Sequence, residues 1–460
     1  MRGTTFTLAF FAVLMSLGCS PRSMTTSIGA GPLFSSQRGS ENVVVFNHVF
    51  VTDLTSLGQL AELSPVAREA YAEDYIRPLM KFLFGPGTHR DIGNPQRNDA
   101  ITIQWSEARV ENGKVVLPFR YIGVWILDAD IALKGQIVLP VPRSYDQLFT
   151  RDWKKCTDSD PEHATESFYW YFWDPARPGC DHVEGVQYDN VEMLIGTSTN
   201  NEKLTFPEYS RMIRDHGNQK QLTLTVAFGY VEDPSRPNPE TDTDAGAAEY
   251  RRFLKTVRSW PTQFSEQPVY LSEYRGADHS RLVIGHRFTG PLHGVQTSLT
   301  VVMAAGVDQM VVFAKSFAHD HDGFFAWMGH SRVGNGFDAR HFQSLVAGDP
   351  AYYSVNENYQ MIYWGGCNSY SYYTLPFFES KANASGGRDP SGTKGLDIVA
   401  HGLPSLFIFN AHNAEILTSA VLNWPSRPSF QDMLRDLESN ARRYGVNLLA
   451  AVLGDEDNLR

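Results

Sequence analysis

The sequence is poor in clustered positive charge, in long apolar runs, in metal-ligand clusters and in cysteine, and each shortage narrows what the chain can do. Lys and Arg number 40 against 51 Asp and Glu, a formal net charge of -11, and the basic residues nowhere gather into a patch. A surface able to neutralise phosphates is therefore absent, and no nucleic acid partner is expected. With 42% hydrophobic and 20% charged residues the chain reads as folded rather than disordered, and no series of spanning segments is present. The run His319-Asp320-His321-Asp322 has two histidines only one residue apart, which a solvated helix end explains. No metal and no cofactor is expected. At 460 residues the chain exceeds the usual size of one hydrophobic core, so two domains are expected.

What is present begins at the N-terminus. Arg2 precedes the apolar run Phe6 to Leu14, and the small residues Ser16 and Gly18 lead into Cys19. This is the layout of a secretory signal peptide over residues 1–19, too short to remain as a membrane span. The stretch Leu17-Gly18-Cys19 resembles a bacterial lipobox, which implies lipidation of Cys19 and a membrane partner reached through that anchor. Ser20 is not the Asp that resembles an inner-membrane retention signal. The expected location is thus the outer membrane, facing periplasm or cell surface, with simple secretion as the alternative.

Four cysteines remain to be assigned: Cys19, Cys156, Cys180 and Cys367. Cys156 and Cys180 flank one segment rich in Asp, Pro and Gly, with the aromatic run Phe168 to Trp173 inside it, and an oxidising compartment lets them pair as a disulfide. Cys367 is left over, either a buried inert thiol or a reactive one.

Along the chain, residues 20–40 are rich in Ser, Thr, Gly and Arg and read as a flexible tether. Residues 41–217 read as a mainly antiparallel β domain. It opens with a short strand at Val43 to Phe46 and a helix around Pro65 to Phe84. A hairpin follows, joining Ile101–Val110 to Lys114–Tyr121 through Asn112-Gly113, and then strands Val124–Leu133 and Gln136–Val141. Residues 218–460 change rhythm, with short apolar runs alternating with helical stretches, the signature of an α/β domain whose mostly parallel sheet is flanked by helices. Strands are expected at Leu222–Tyr230, Arg281–Phe288, Phe324–Met328, Tyr359–Trp364 and Ser405–Phe409. Helices are expected at Asp244–Trp260, Val295–Ala318 with a break near Gly306, Asp338–Val346, and after the N-cap Ser429.

Two of these strands end in reactive residues. Phe324 to Met328 leads through Gly329 to His330, and Tyr359 to Trp364 leads through Gly365 and Gly366 to Cys367. Residues just beyond the carboxyl ends of neighbouring parallel strands line one crevice, so the two are expected to face each other. This arrangement resembles the clan of caspases, gingipains, legumains, separases and CHAT-domain peptidases, in which an apolar strand ends in His-Gly, a helix follows, and the next apolar strand ends in the nucleophilic Cys. The triplet Cys367-Asn368-Ser369 is particularly similar to CHAT-type peptidases. The resemblance spans Leu222 to Trp424 and implies a caspase-like fold acting on a protein or peptide substrate.

In that resemblance Cys367 is the nucleophile, with a depressed thiol pKa, and His330 the general acid/base. Backbone N–H groups at Ser331 and around Gly366 and Cys367 form the oxyanion hole. Gly329, Gly365 and Gly366 suit close approach of a substrate backbone, and Gly334 and Gly336 a mobile loop above the histidine. Ser331 departs from the family, which has Gly after the catalytic histidine, so an inactive relative that binds rather than cuts is one alternative. Another uses His401 or His412 with Cys367, in the Cys-then-His order of papain-like or cell-wall hydrolases. His293-Gly294 repeats the two-letter motif, but the preceding Gly290-Pro291-Leu292 reads as a turn. For specificity, the loop before the first helix carries Glu240 and Asp242, and Asp233 closes the strand before it. Carboxylates there favour a basic residue before the scissile bond; a solvated acidic loop with Asp244 as N-cap is the plain alternative.

Overall fold

The computed structural model describes residues 34–61, 78–95, 102–157, 165–166, 168–199, 203–232, 234, 237–261, 264–275, 282–331 and 339–454. The expected leader with Cys19, the first part of the expected tether, most of the expected helix at Pro65 to Phe84, and Asp233, Gly334 and Gly336 lie outside them. No helix among the described residues is long and apolar enough to cross a membrane.

The architecture is mixed α/β. β1 (Phe34–Ser36) is followed by a seven-stranded antiparallel sheet of β2 (Gly39–Val51), β3 (Gly93–Pro95), β4 (Thr102–Trp105), β5 (Arg109–Glu111), β6 (Lys114–Asp128), β7 (Gln136–Pro142) and β8 (Tyr188–Thr199). Asn112 and Gly113 both take positive φ, 51° and 74°, at the β5–β6 turn, as Asn-Gly predicts. The second sheet has ten strands. It contains β9 (Arg214–His216), β10 (Gln219–Gly229), β11 (Ser265–Tyr270), β12 (Val283–Leu292), β13 (Val295–Ala304), β14 (Phe324–Met328), β15 (Gln360–Trp364), β16 (Leu396–His401) and β17 (Ala450–Leu453). Its order is β1-β17-β16-β15-β14-β10-β13-β12-β11, with β9 on β10.

Five of these strands, β13-β10-β14-β15-β16, are parallel. They occur in the chain as second, first, third, fourth and fifth, so the winding reverses between β10 and β14. Alternate residues feed two cores. Leu224, Val226 and Phe228 pack under the helices Ala245–Ser259, Asn410–Leu422 and Phe430–Arg442, while Ala227, Phe325 and Trp327 pack against those at Asp308–Ala314, Ala339–Gly348 and Leu375–Ala384. Apolar residues on both faces of β14 and β15 explain their unbroken hydrophobic runs.

Several expectations are corrected. Residues 34–40 are not tether: β1 pairs antiparallel with β17, and Gly39 already belongs to β2, because Phe34 is buried in the large sheet's core. Val43 to Phe46 is the middle of a 13-residue strand. The change of rhythm at Gly217 is the β9–β10 hairpin turn inside the large sheet, and the described residues on either side of it belong to one compact unit. Val295 to Ala304 is strand rather than helix, since β10 and β12 hydrogen-bond it on both sides; helix begins only after Gly306. Gly290-Pro291-Leu292 belongs to β12, and His293-Gly294 is the hairpin turn, both residues at positive φ. Ser405 to Phe409 is loop and a short 3-10 turn; the last parallel strand is β16. The capping box at Ser429, with Asp432 three residues on, is formed as read.

Candidate active site

β14 and β15 are direct parallel neighbours, with Trp327 opposite Trp364. Both chains leave the sheet at its carboxyl edge, through Gly329 to His330 and through Gly365 and Gly366 to Cys367. The two exits are packed tightly: a Cβ on Gly366 would lie 3.0 Å from the Gly329 carbonyl oxygen and 3.1 Å from the Ser331 nitrogen. The glycines therefore let strand ends approach each other, which corrects their assignment to substrate approach alone. Ser331 is buried against Gly366, so the two candidate oxyanion residues do meet.

His330 is partly exposed. Its Nε2 lies 3.1 Å from the Val231 carbonyl oxygen, at the end of β10, and its ring meets Phe407 edge-on with centroids 4.9 Å apart. The Trp327 indole donates to the His330 carbonyl at 3.1 Å, fixing the backbone that carries the ring. The site thus sits where the winding of the sheet reverses, the place α/β sheets reserve for ligands.

Cys367 is ringed by protein although the residue is not fully buried. Its Sγ donates to the Ser405 carbonyl at 3.3 Å and accepts from the Ser405 N–H at 3.4 Å. Burial pushes the thiol pKa up, while hydrogen bonds from Ser405 and Tyr171 pull it part of the way back. The depressed thiol expected from sequence is therefore not the resting condition, because no charge in the cluster outweighs desolvation. Asn368 follows with φ 52°, in the left-handed region Asn tolerates, and ends the strand sharply before the helix Ser369–Tyr373. Ser369 braces this turn by donating to the Trp364 carbonyl at 2.8 Å and accepting from the His401 N–H at 2.8 Å.

Residues that the sequence did not point to complete the turn. Tyr171, from the aromatic run inside the disulfide loop, donates to Asn368 Oδ1, and Asn94 donates to the Gly402 carbonyl beside it. Ser371 donates to the Pro95 carbonyl at 2.6 Å, and Tyr370 to Glu41 at 2.6 Å. The antiparallel sheet therefore grips the segment after Cys367. Sequence marked the aromatic run but gave no sign of its partner; Ser405 carried no signal.

The alternative histidines have other occupations. His401 is fully buried with Nε2 2.9 Å from the Tyr363 hydroxyl, and burial lowers its pKa to about 3. His412 pairs with Glu415 at 3.1 Å. Of the acidic candidates, Asp242 lines a depression with Tyr230, Val231, Glu232 and Asp244, next to the carbonyl that His330 meets. Its carboxylate accepts from the Tyr230 hydroxyl at 3.1 Å and the Asn238 N–H at 2.8 Å. Glu240 instead pairs with His286 at 3.0 Å and does not line the depression. Asp244 caps its helix through the Ala247 N–H and also accepts from the Val231 and Glu232 N–H groups.

Cys156 and Cys180 form a disulfide. With His182 they are the one cluster of metal-ligand type among the described residues, but both sulfurs are spent on each other. The His182 nitrogens meet the Trp173 indole at 3.2 Å and the Leu148 carbonyl at 3.0 Å. This is a structural knot, and the residues do not suit an ion.

No protein-family model, no curated protein and no solved structure matches the chain.

Proposed function

We propose that this chain is a caspase-like cysteine endopeptidase with Cys367 as nucleophile and His330 as general acid/base. The observation that carries the reading is the departure of both residues from the carboxyl ends of adjacent parallel strands, beside the reversal of winding. The order strand, His, helix, strand, Cys agrees with the resemblance, with the helix Ala339–Gly348 between.

The chemistry requires His330 to leave the Val231 carbonyl and take the thiol proton. The thiolate then attacks the scissile carbonyl, the tetrahedral oxyanion accepts N–H bonds from Ser331 and Cys367, and the imidazolium protonates the leaving amine. Water hydrolyses the acyl-enzyme. The resting thiol is kept neutral by burial, so activation belongs to the substrate-bound state. Asp242 and Glu232 beside the site favour a basic residue before the scissile bond.

The reading includes export with a lipid anchor at Cys19, and the Cys156–Cys180 disulfide supports an oxidising compartment. A second reading, a non-catalytic binding protein on the same sheet, is favoured by the raised thiol and its two bonds to Ser405.

A peptidyl acyloxymethyl ketone probe with Lys or Arg next to the warhead separates the two. The peptidase labels at Cys367 and loses at least about a hundredfold in labelling rate in His330→Ala, the scale of a general base. Labelling that ignores His330, together with no cleavage across a fluorogenic peptide panel, rules the peptidase out. Loss in His401→Ala or His412→Ala instead transfers the base to that histidine.

A further inference from the structure

We infer that Tyr171 is a positioning residue for Cys367, acting from the disulfide-closed loop on both the thiol and the turn that carries it. The biological meaning rests on the reading of Cys367 as nucleophile; the test does not.

Tyr171 lies on the short helix Tyr169–Phe172, inside the loop closed by Cys156 and Cys180. Residues four apart on a helix share a face, and Tyr169 and Trp173 use theirs to anchor the segment. The Tyr169 hydroxyl donates to the Leu148 carbonyl at 3.1 Å, and the Trp173 indole to His182 at 3.2 Å. The Asp174 N–H reaches the Cys156 carbonyl at 2.9 Å, tying the helix end to the disulfide. Tyr171, midway between the two anchors, points away from them, across to the other sheet, where it is nearly fully buried.

There its hydroxyl donates to Asn368 Oδ1, on the residue that follows Cys367, and a hydrogen bond from it lowers the thiol's pKa against the effect of burial. A phenol carries one proton, and here two acceptors compete for it. With a neutral thiol the proton goes to Asn368, and Sγ–H is satisfied by the Ser405 carbonyl. Once the thiol ionises, the sulfur becomes the stronger acceptor and draws the phenol proton. Tyr171 therefore stabilises the thiolate selectively, in a cluster where burial opposes it. Losing this hydroxyl leaves the turn standing, because Ser369, Tyr370 and Ser371 hold it independently.

The test is site-resolved alkylation of the full chain by iodoacetamide across pH, following the Cys367 peptide by mass spectrometry, with thermal melting in parallel. Tyr171→Phe is expected to move the alkylation midpoint upward and slow labelling about tenfold at a fixed pH below it, the effect of one charge-assisted hydrogen bond. Tyr169→Phe, on the opposite face, is expected to lower the melting temperature and leave the profile in place. Incorporating 3-fluorotyrosine at position 171, a stronger donor, is expected to move the midpoint downward, which a purely structural role does not do. A wild-type profile in Tyr171→Phe, or an upward shift with 3-fluorotyrosine, overturns the inference. An unmoved profile in a chain that cleaves peptides defeats this inference alone, whereas a shifted profile in a chain that cleaves none defeats the peptidase reading alone.

Discussion

Trp327 and Trp364 are register partners on adjacent parallel strands, and each stands three residues before a candidate catalytic side chain, His330 and Cys367. Equal offsets from a shared register bring the two backbones out of the sheet at the same height. Both indoles face the same core, so the spacing is fixed by packing rather than by loops.

Gly366→Ala tests that spacing. The added methyl meets the Gly329 carbonyl and the Ser331 nitrogen at 3.0 and 3.1 Å, tighter than normal contact, and both are backbone. The variant is expected to lose about 1–3 kcal/mol in a urea titration. Its Cys367 labelling by the peptidyl probe is expected to fall further than the loss of folded protein explains. A wild-type urea midpoint would show that the two strand ends separate without cost.

Asp244 joins a helix cap to the site. Its carboxylate accepts from Ala247 at the helix start and from Val231 and Glu232 in the turn whose carbonyl meets His330. Asp244→Ala is expected to cost about 1–2 kcal/mol, the upper part of the range for a lost N-cap. Asp244→Asn, which keeps an acceptor at the cap, is expected to recover most of that. Chemical denaturation of the two variants side by side checks the order.

Acid sensitivity follows from two buried histidines. His401 is held down to about pKa 3 and His48 to about 4, both chiefly by burial. The unfolded chain takes up these protons near pH 6.5, before the folded protein does. Stability is therefore full above that pH and falls as pH drops through the window, by up to about 1.4 kcal/mol per pH unit per group. His401→Phe, which keeps a ring against Tyr363, is expected to flatten the slope of urea midpoint against pH, leaving the part that His48 and the other burial-depressed histidines, His182 and His321, supply. An unchanged slope would mean that His401 titrates normally in the folded protein.

Removing the Cys156–Cys180 disulfide, as Cys156→Ser with Cys180→Ser, is expected to cost about 3 kcal/mol from loop entropy across a separation of 24 residues. Since Tyr171 sits in that loop, the double variant is also expected to raise the alkylation midpoint of Cys367 in the direction of Tyr171→Phe. Calorimetry and the alkylation profile read the two effects separately.

Local chemistry made part of this legible. Asn112-Gly113, the Ser429 capping box, the disulfide pair and the apolar strands ending at His330 and Cys367 are each written within a few residues or by composition. What escaped was written at a distance. Val295 to Ala304 is a strand because β10 and β12 claim its backbone on both sides, and nothing within the segment says so. Tyr171 finds Asn368 across 197 residues of chain. The raised thiol also escaped, since a residue name carries no information about how much water its neighbours exclude.

The pairing of β1 with β17 sets an order of assembly. Ser36 donates to the Ala450 carbonyl across 414 residues, and Phe34 lies opposite Leu453. During synthesis β1 therefore has no partner in the sheet until β17 has been made, and this closure of a very long loop must come late. Until then the outer edge of β16 stands open, a row of unpaired backbone groups on the strand next to the one that leads to Cys367. Synthesis of β17 and sealing of the sheet beside the thiol are thus one event in time.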